Sequence, residues 1–182
     1  ATEASEHAAM IEAHKQVSDR LDKPLLILAP RFREDGADCE ALAREAFAQV
    51  ARRSAGDPLT VDTQVYVVDT FGEMGLWYRL APVSFIGHSL NAGLEGKNPF
   101  EGAALGSALL TGPYVSYFSE SFQALCAHDA CVEVTDANSL AKAVIDLQDP
   151  NKRTTMTRGA EAVIAERAAV LTRTWAAIAD RL

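Results

Sequence analysis

No run of apolar residues comes near the roughly 18 to 20 that a membrane-spanning helix needs, so the expectation is a soluble piece. Nor does the start read as a secretory leader, because the first twelve residues hold Glu3, Glu6 and Glu12 and no Lys or Arg. Cysteine is scarce: Cys39, Cys126 and Cys131 lack zinc-knuckle or CxxC spacing, and reduced, mostly buried thiols are expected. Cys126 and Cys131 flank a short loop and could approach one another. The four histidines, His7, His14, His88 and His128, form no ligand-spaced cluster, so neither a metal nor a cofactor is implied. What remains is ordinary globular composition over 182 residues, 48% apolar and 23% charged, which excludes a disordered or fibrous chain. That length suits one domain.

Positive charge is short overall, but unevenly so. Residues 1–150 carry 11 basic and 22 acidic side chains, whereas residues 151–182 carry 6 basic and 3 acidic. An acidic body disfavours non-specific nucleic-acid binding, which depends on neutralising phosphates. An anionic ligand would need a few local cations or helix N-termini. The basic tail reads as a solvated helix face, or else as a surface for an acidic partner or a membrane.

Short apolar runs alternate with helix-like segments. Leu25 to Ala29 is bounded by prolines and reads as a strand buried on both faces. Val65–Val68, Val83–Ile86, Ala108–Leu110 and Cys131–Val134 read as further strands. Helices are expected over about 4–20, 37–51, 73–80, 99–106, 117–127, 137–147 and 152–182, the last broken near Gly159. This alternation predicts an α/β fold, a Rossmann-like parallel sheet with helices on both faces and a long helical C-terminus. The whole of 1–182 forms one such domain. A doubly wound domain normally opens on a strand, so its first strand is expected upstream of Ala1.

In open α/β sheets ligands bind beyond the carboxyl ends of the strands. Four loops must therefore share one rim: Pro30–Arg33, Asp69–Gly75, Gly87–Glu101 and Thr111–Tyr114. Arg31, at the end of a buried strand, needs a partner, and an anion at the switch point would serve. Arg33 reads as solvated, and His88 as either a hydrogen-bonded loop residue or a functional one. Asn98-Pro99-x-Glu101 has the spacing of an N-cap, N1 and capping-box Glu. The same carboxylate could also accept two ribose hydroxyls.

In order, Pro30-Arg31, Asp69-Thr70-Phe71-Gly72-Glu73-Met74-Gly75-Leu76-x-Tyr78, Phe85-Ile86-Gly87-x-Ser89-Leu90, Gly96-x-Asn98-Pro99-Phe100-Glu101 and Gly112-Pro113 resemble the C-terminal domain of 3-deoxy-D-manno-octulosonic acid (Kdo) transferases. The resemblance implies the C-terminal half of a GT-B glycosyltransferase, a family that transfers Kdo from CMP-Kdo to a lipid A precursor in lipopolysaccharide biosynthesis. It implies that Pro30 and Arg31 line the CMP pocket, Phe71, Gly72 and Glu73 form a second wall, and Asn98, Pro99, Phe100 and Glu101 contact the nucleotide. Lys97 stands where the family has histidine and could replace it as a donor contact. Phe32-Arg33-Glu34-Asp35, Tyr114 and Tyr117-Phe118 also depart from the family pattern.

The resemblance further implies that the N-terminal acceptor domain, with the glutamate base and membrane association at the cytoplasmic face of the inner membrane, is absent from this sequence. No catalytic residue and no metal ligand is then expected here, and this piece alone should be inactive. Two rivals stand beside this reading. One is another GT-B sugar-nucleotide enzyme, a UDP-sugar transferase or epimerase. The other is a non-enzymatic flavodoxin-like module, for which Asp69 is the only candidate phosphoacceptor.

Overall fold

The computed structural model describes residues 1–179, with side chains at all but 170–174, 176 and 177. The elements run α1 (Ala4–Ser18), β1 (Leu26–Leu28), α2 (Gly36–Ala46), β2 (Val50–Arg52), β3 (Val65–Val67), α3 (Met74–Leu80), β4 (Val83–Ile86), α4 (Phe100–Ala104), β5 (Ala108–Thr111), α5 (Ser119–Ala127), β6 (Cys131–Glu133), α6 (Ala137–Asp146) and α7 (Pro150–Ala179). All strand pairs are parallel, in two three-stranded sheets ordered β2-β3-β1 and β4-β5-β6.

Alternation along the strands divides the core. Val65, Val67, Ala108 and Leu110 point to one face, where α1, α2 and α6 cover them. Tyr66 and Val68 point to the opposite face and meet Trp77 of α3, while Leu109 packs among residues of α3, α4, α5 and α7. Helices therefore lie on both faces, as period-two side-chain alternation in a doubly covered sheet demands. Leu109 and Leu110 have no exposed surface. Truncating either to Ala falls in a class that costs about 2–5 kcal/mol.

Several expectations are corrected here. The segment 37–51 is not one helix: α2 ends at Ala46, Phe47 turns extended, and Val50–Arg52 pairs with β3 as an edge strand. β1 is not buried on both faces, since Leu25 is exposed, Leu26 and Ile27 are half-buried and only Leu28 is buried. α4 is shorter than 99–106. α7 runs unbroken through Gly159, where a Cβ would lie 2.1 Å from the His128 carbonyl oxygen. That glycine serves close approach of helix and loop rather than a bend. Positions 180–182 of the expected last helix lie outside the described residues. All three cysteines are free; Cys39 and Cys131 are buried, but Cys126 is exposed.

Between β1 and β4 lies an apolar groove of about 750 Å3 whose walls include Leu26, Leu28, Val83 and Phe85. Ala1 and Thr2 cross its end beside the carboxyl ends of both strands. Thr2 bridges Pro30 in parallel register, its amide donating to the Ala29 carbonyl (2.8 Å) and its carbonyl accepting from the Arg31 amide (2.9 Å). On the other side Gly87 presses against the Ala1 carbonyl, where a Cβ would sit 2.2 Å away. Among the described residues no helix is long and apolar enough to cross a membrane.

Candidate functional site

Because the strands are parallel, the loops leaving β1, β3, β4 and β5 gather at one rim. The loop after β1 delivers Arg31, whose guanidinium forms an ion pair with Glu3 at the start of α1. The same Glu3 oxygen is 2.6 Å from His88 Nδ1 in the loop after β4. Burial alone would raise the Glu3 carboxyl. Hydrogen bonds from Arg31 and His88 outweigh that and hold it below the ordinary carboxylate value. Arg31 needs a partner, as expected from its place, and the structure supplies one within the chain, Glu3. Its side chain keeps 38% of its surface exposed, so it can still be reached from solvent.

The loop after β3 turns at Gly72, which has a φ of 82°. Phe71 is 78% exposed there. Glu73 is tied to Arg53 (Nε–Oε2 3.0 Å) and to the Thr70 hydroxyl, and the Arg53 contact leads in holding its carboxyl below the ordinary value. Arg53 also lies over the Trp77 ring, 5.5 Å from its centroid. Asp69, just below, is buried. Burial would raise its carboxyl, but the Ser54 hydroxyl and amide and the Arg52 guanidinium bring it below the ordinary value. With every oxygen engaged and little surface, Asp69 anchors the end of β3 and is badly placed as a phosphoacceptor.

The long loop after β4 folds back on the β5 exit. The Gly96 amide donates to the His88 carbonyl (2.6 Å) and the Tyr117 amide to the Glu95 carbonyl (3.1 Å). Asn98 is exposed, and its side chain accepts from the Phe100 amide at 3.0 Å, forming a turn before α4. The expected capping box with Glu101 is not made, and Glu101 is exposed. Lys97 follows Gly96, so the Gly96–His88 bond sets it beside the residue whose ring shares Glu3 with Arg31.

Not every sequence-derived residue presents its side chain. Pro30 and Pro99 are buried. Phe100 packs into the core between α4 and α7, with the Arg167 guanidinium 4.3 Å from its ring centroid. Arg31, Phe71, Asn98 and Glu101 are exposed, Lys97 is half-buried, and Glu73 is half-buried in its ion pair.

Sequence reasoning missed Glu3, the N-cap of α1, Glu6 within it, and Arg52 and Arg53 at the end of β2 and just past it. The last two lie just past the segment 37–51 that reads as a single helix, so the strand that ends at Arg52 gave no signal of its own. Exposed aromatic side chains recur on the rim loops: Phe32 after β1, Phe71 after β3, and Tyr114 and Tyr117 after β5. Flat apolar faces beside a guanidinium suit a planar heterocycle bearing a phosphate. Among the described residues no group of His, Cys, Asp and Glu is arranged to hold a metal ion.

Doubly covered parallel sheets with these rim loops and a long closing helix define the C-terminal half of a GT-B glycosyltransferase. By sequence and fold the chain belongs to the 3-deoxy-D-manno-octulosonic acid transferases and corresponds to their C-terminal domain. It is 32% identical over 174 residues to the Bordetella pertussis 3-deoxy-D-manno-octulosonic acid transferase, covering 94% of this chain and 40% of that protein. With the Haemophilus influenzae enzyme of the same name it shares 31% over 145 residues, 79% of this chain and 34% of the relative. The C-terminal CMP-Kdo binding domain of WaaA from Acinetobacter baumannii superposes with a TM-score of 0.83 at 27% identity, over 90% of this chain and 85% of that one. No protein-family model matches the chain. The chain spans less than half the length of the two enzymes.

Proposed function

We propose that this chain binds the CMP moiety of CMP-Kdo on the rim of loops. In a longer protein it would serve as the donor half of an enzyme that transfers Kdo to a lipid A precursor at the cytoplasmic face of the inner membrane. The observation that carries the reading is the chain of contacts that gathers the exit loops: Glu3 joins Arg31 after β1 to His88 after β4, and the His88 carbonyl holds Gly96 at the head of the Lys97–Glu101 segment. Arg31 supplies charge for the phosphate, Glu101 accepts ribose hydroxyls, and Phe71 offers a face to the base. The domain's chemical part is to orient the nucleotide and stabilise it as a leaving group, which requires charge aimed at the phosphate and no proton transfer by these residues. The likeness to a solved CMP-Kdo binding domain supports the choice of cytidine over other bases.

The groove between β1 and β4 supports the companion reading that preceding chain completes this domain. A strand running parallel to β1 and entering at Ala1 would pair with both facing edges and join the two sheets. Such a segment, and the acceptor domain beyond it, would bring the base that the rim lacks. Residues 1–182 alone would then bind nucleotide without transferring sugar.

Calorimetric titration of the chain with CMP and with UMP tests the donor assignment. Saturable CMP binding with UMP at least tenfold weaker is expected. No saturable CMP binding, or UMP bound equally well, would overturn it. Kdo transfer by residues 1–182 alone would overturn the companion reading.

A further inference from the structure

Glu6 lies one turn into α1 and has no exposed surface, yet among the described residues no Lys, Arg or His side chain hydrogen-bonds to it. Four backbone amides hold it instead. Its Oε2 accepts from Glu3 (2.8 Å) and His88 (2.8 Å), and its Oε1 from Ser89 (2.9 Å) and Leu90 (3.0 Å). Three consecutive amides aimed at one anion form a concave nest of the kind that elsewhere takes a phosphate. Here the chain fills its own nest. A buried carboxylate without a counter-cation is tolerable only because each oxygen is satisfied in this way.

The nest reaches two further loops. Ser89 donates its hydroxyl to the Ile86 carbonyl (2.6 Å) and accepts from the Gly112 amide (2.8 Å), while its carbonyl accepts from the Tyr114 amide (2.9 Å). His88 adopts a φ of 61°, a left-handed conformation that a non-glycine residue keeps only when its surroundings enforce it. In that conformation its ring meets Glu3, which holds Arg31. One carboxylate thus ties α1 to the exit of β4, through Ser89 to the exit of β5, and through His88 and Glu3 to the exit of β1.

We infer that Glu6 is a positioning residue for the rim: it occupies the 88–90 amide nest as an internal anion and fixes the β4 and β5 exit loops in their binding geometry. This rests on the rim being the nucleotide site. It also implies that the donor phosphate does not use the 88–90 amides and is held by side chains such as Arg31 and Lys97.

Glu6→Gln tests the inference, because it keeps the size of the side chain but turns an NH2 toward amide donors. Hydrogen exchange and CMP titration are measured at 10 °C, on wild type and on a variant whose folded state at that temperature is checked by circular dichroism. Exchange at least tenfold faster at residues 88–90 and 112–114, with unchanged protection in β3 and β5, is expected together with at least tenfold weaker CMP binding. Unchanged exchange at those amides, or faster exchange with CMP affinity altered less than twofold, would overturn it. If Glu6→Gln does not fold, Ser89→Ala cuts the link to Gly112 while sparing the carboxylate. Faster exchange at 112–114 and at least threefold weaker CMP binding then support the inference, and no change in either overturns it. Should wild type bind no CMP, the donor assignment falls separately, and the exchange pattern alone still decides whether the clamp exists.

Discussion

Arg31 and Glu3 form an ion pair that joins the exit of β1 to the N-cap of α1. The arginine that looked like a cation waiting for a ligand is held in place before any ligand arrives. A guanidinium has five donors, so one carboxylate leaves the rest of its fork available. Pre-positioning reduces the side-chain ordering cost of binding an anion. Arg31→Ala should therefore lower CMP affinity at least tenfold, about 1.4 kcal/mol. The Arg33 side chain is exposed and has no such anchor among the described residues, so Arg33→Ala should change CMP affinity less than threefold. Equal effects in a titration of both variants would contradict the placement of the β1 exit loop.

Glu101 separates binding from capping. It makes no cap hydrogen bond, and the turn into α4 is closed by Asn98. Glu101→Gln should leave stability within about 0.5 kcal/mol, as for an ordinary surface change. It should weaken CMP binding by about 1–3 kcal/mol, the scale of a hydrogen bond to a charged group. A lower melting point with unchanged CMP affinity would assign Glu101 a structural role instead.

Gly159→Ala reverses the usual sign for helices. In an exposed helix interior Ala is better than Gly by about 1 kcal/mol. Here the new methyl would stand 2.1 Å from a backbone oxygen of His128, which cannot move without shifting the α5–β6 loop. A net loss of at least about 2 kcal/mol is expected in urea unfolding, as for overpacked sites. Neutral or increased stability would show that α7 is not seated on this loop.

Stability should fall on mild acidification because of α1. His7 and His14 are buried, and burial pushes both imidazoles below their ordinary value. The fold favours their neutral forms. Below about pH 6.5 the unfolded chain takes up protons that the folded chain refuses, so stability present above that pH is lost as pH falls toward the depressed values. The slope is at most about 1.4 kcal/mol per pH unit for each histidine. Glu3 and Asp69, held below the ordinary carboxylate range, add their own loss only below about pH 4.5. Unfolding at pH 7.5, 6.5 and 5.5 should show the decline, and His14→Gln should make it shallower. Identical pH profiles for the two proteins would contradict this assignment.

Much of this was legible in the sequence, for physical reasons. β3 and β5 announced themselves because strands covered on both faces are continuous apolar runs, β4 showed through Val83, Phe85 and Ile86 although it is only half-buried before Ile86, and the Gly-rich exits identified the rim. β2 escaped because a three-residue edge strand ending in Arg52 has no periodicity of its own and follows an alanine-rich helix. Gly159 looked like a break because a sequence cannot reveal that a carbonyl lies 2.1 Å from where its Cβ would be. Glu6 escaped most completely. Three of its four partners are backbone amides more than 80 residues away, and amides leave no mark on the sequence.

The most direct measurement is an amide chemical-shift map of the chain titrated with CMP. The account predicts that shifts concentrate at residues 30–33, 70–75, 96–101 and 112–117, at the carboxyl ends of the parallel strands. The map should leave the α7 face and the opposite ends of the strands unmoved. Saturating CMP with no shift in those loops, or with shifts centred elsewhere, would contradict the claim that this rim is the nucleotide site.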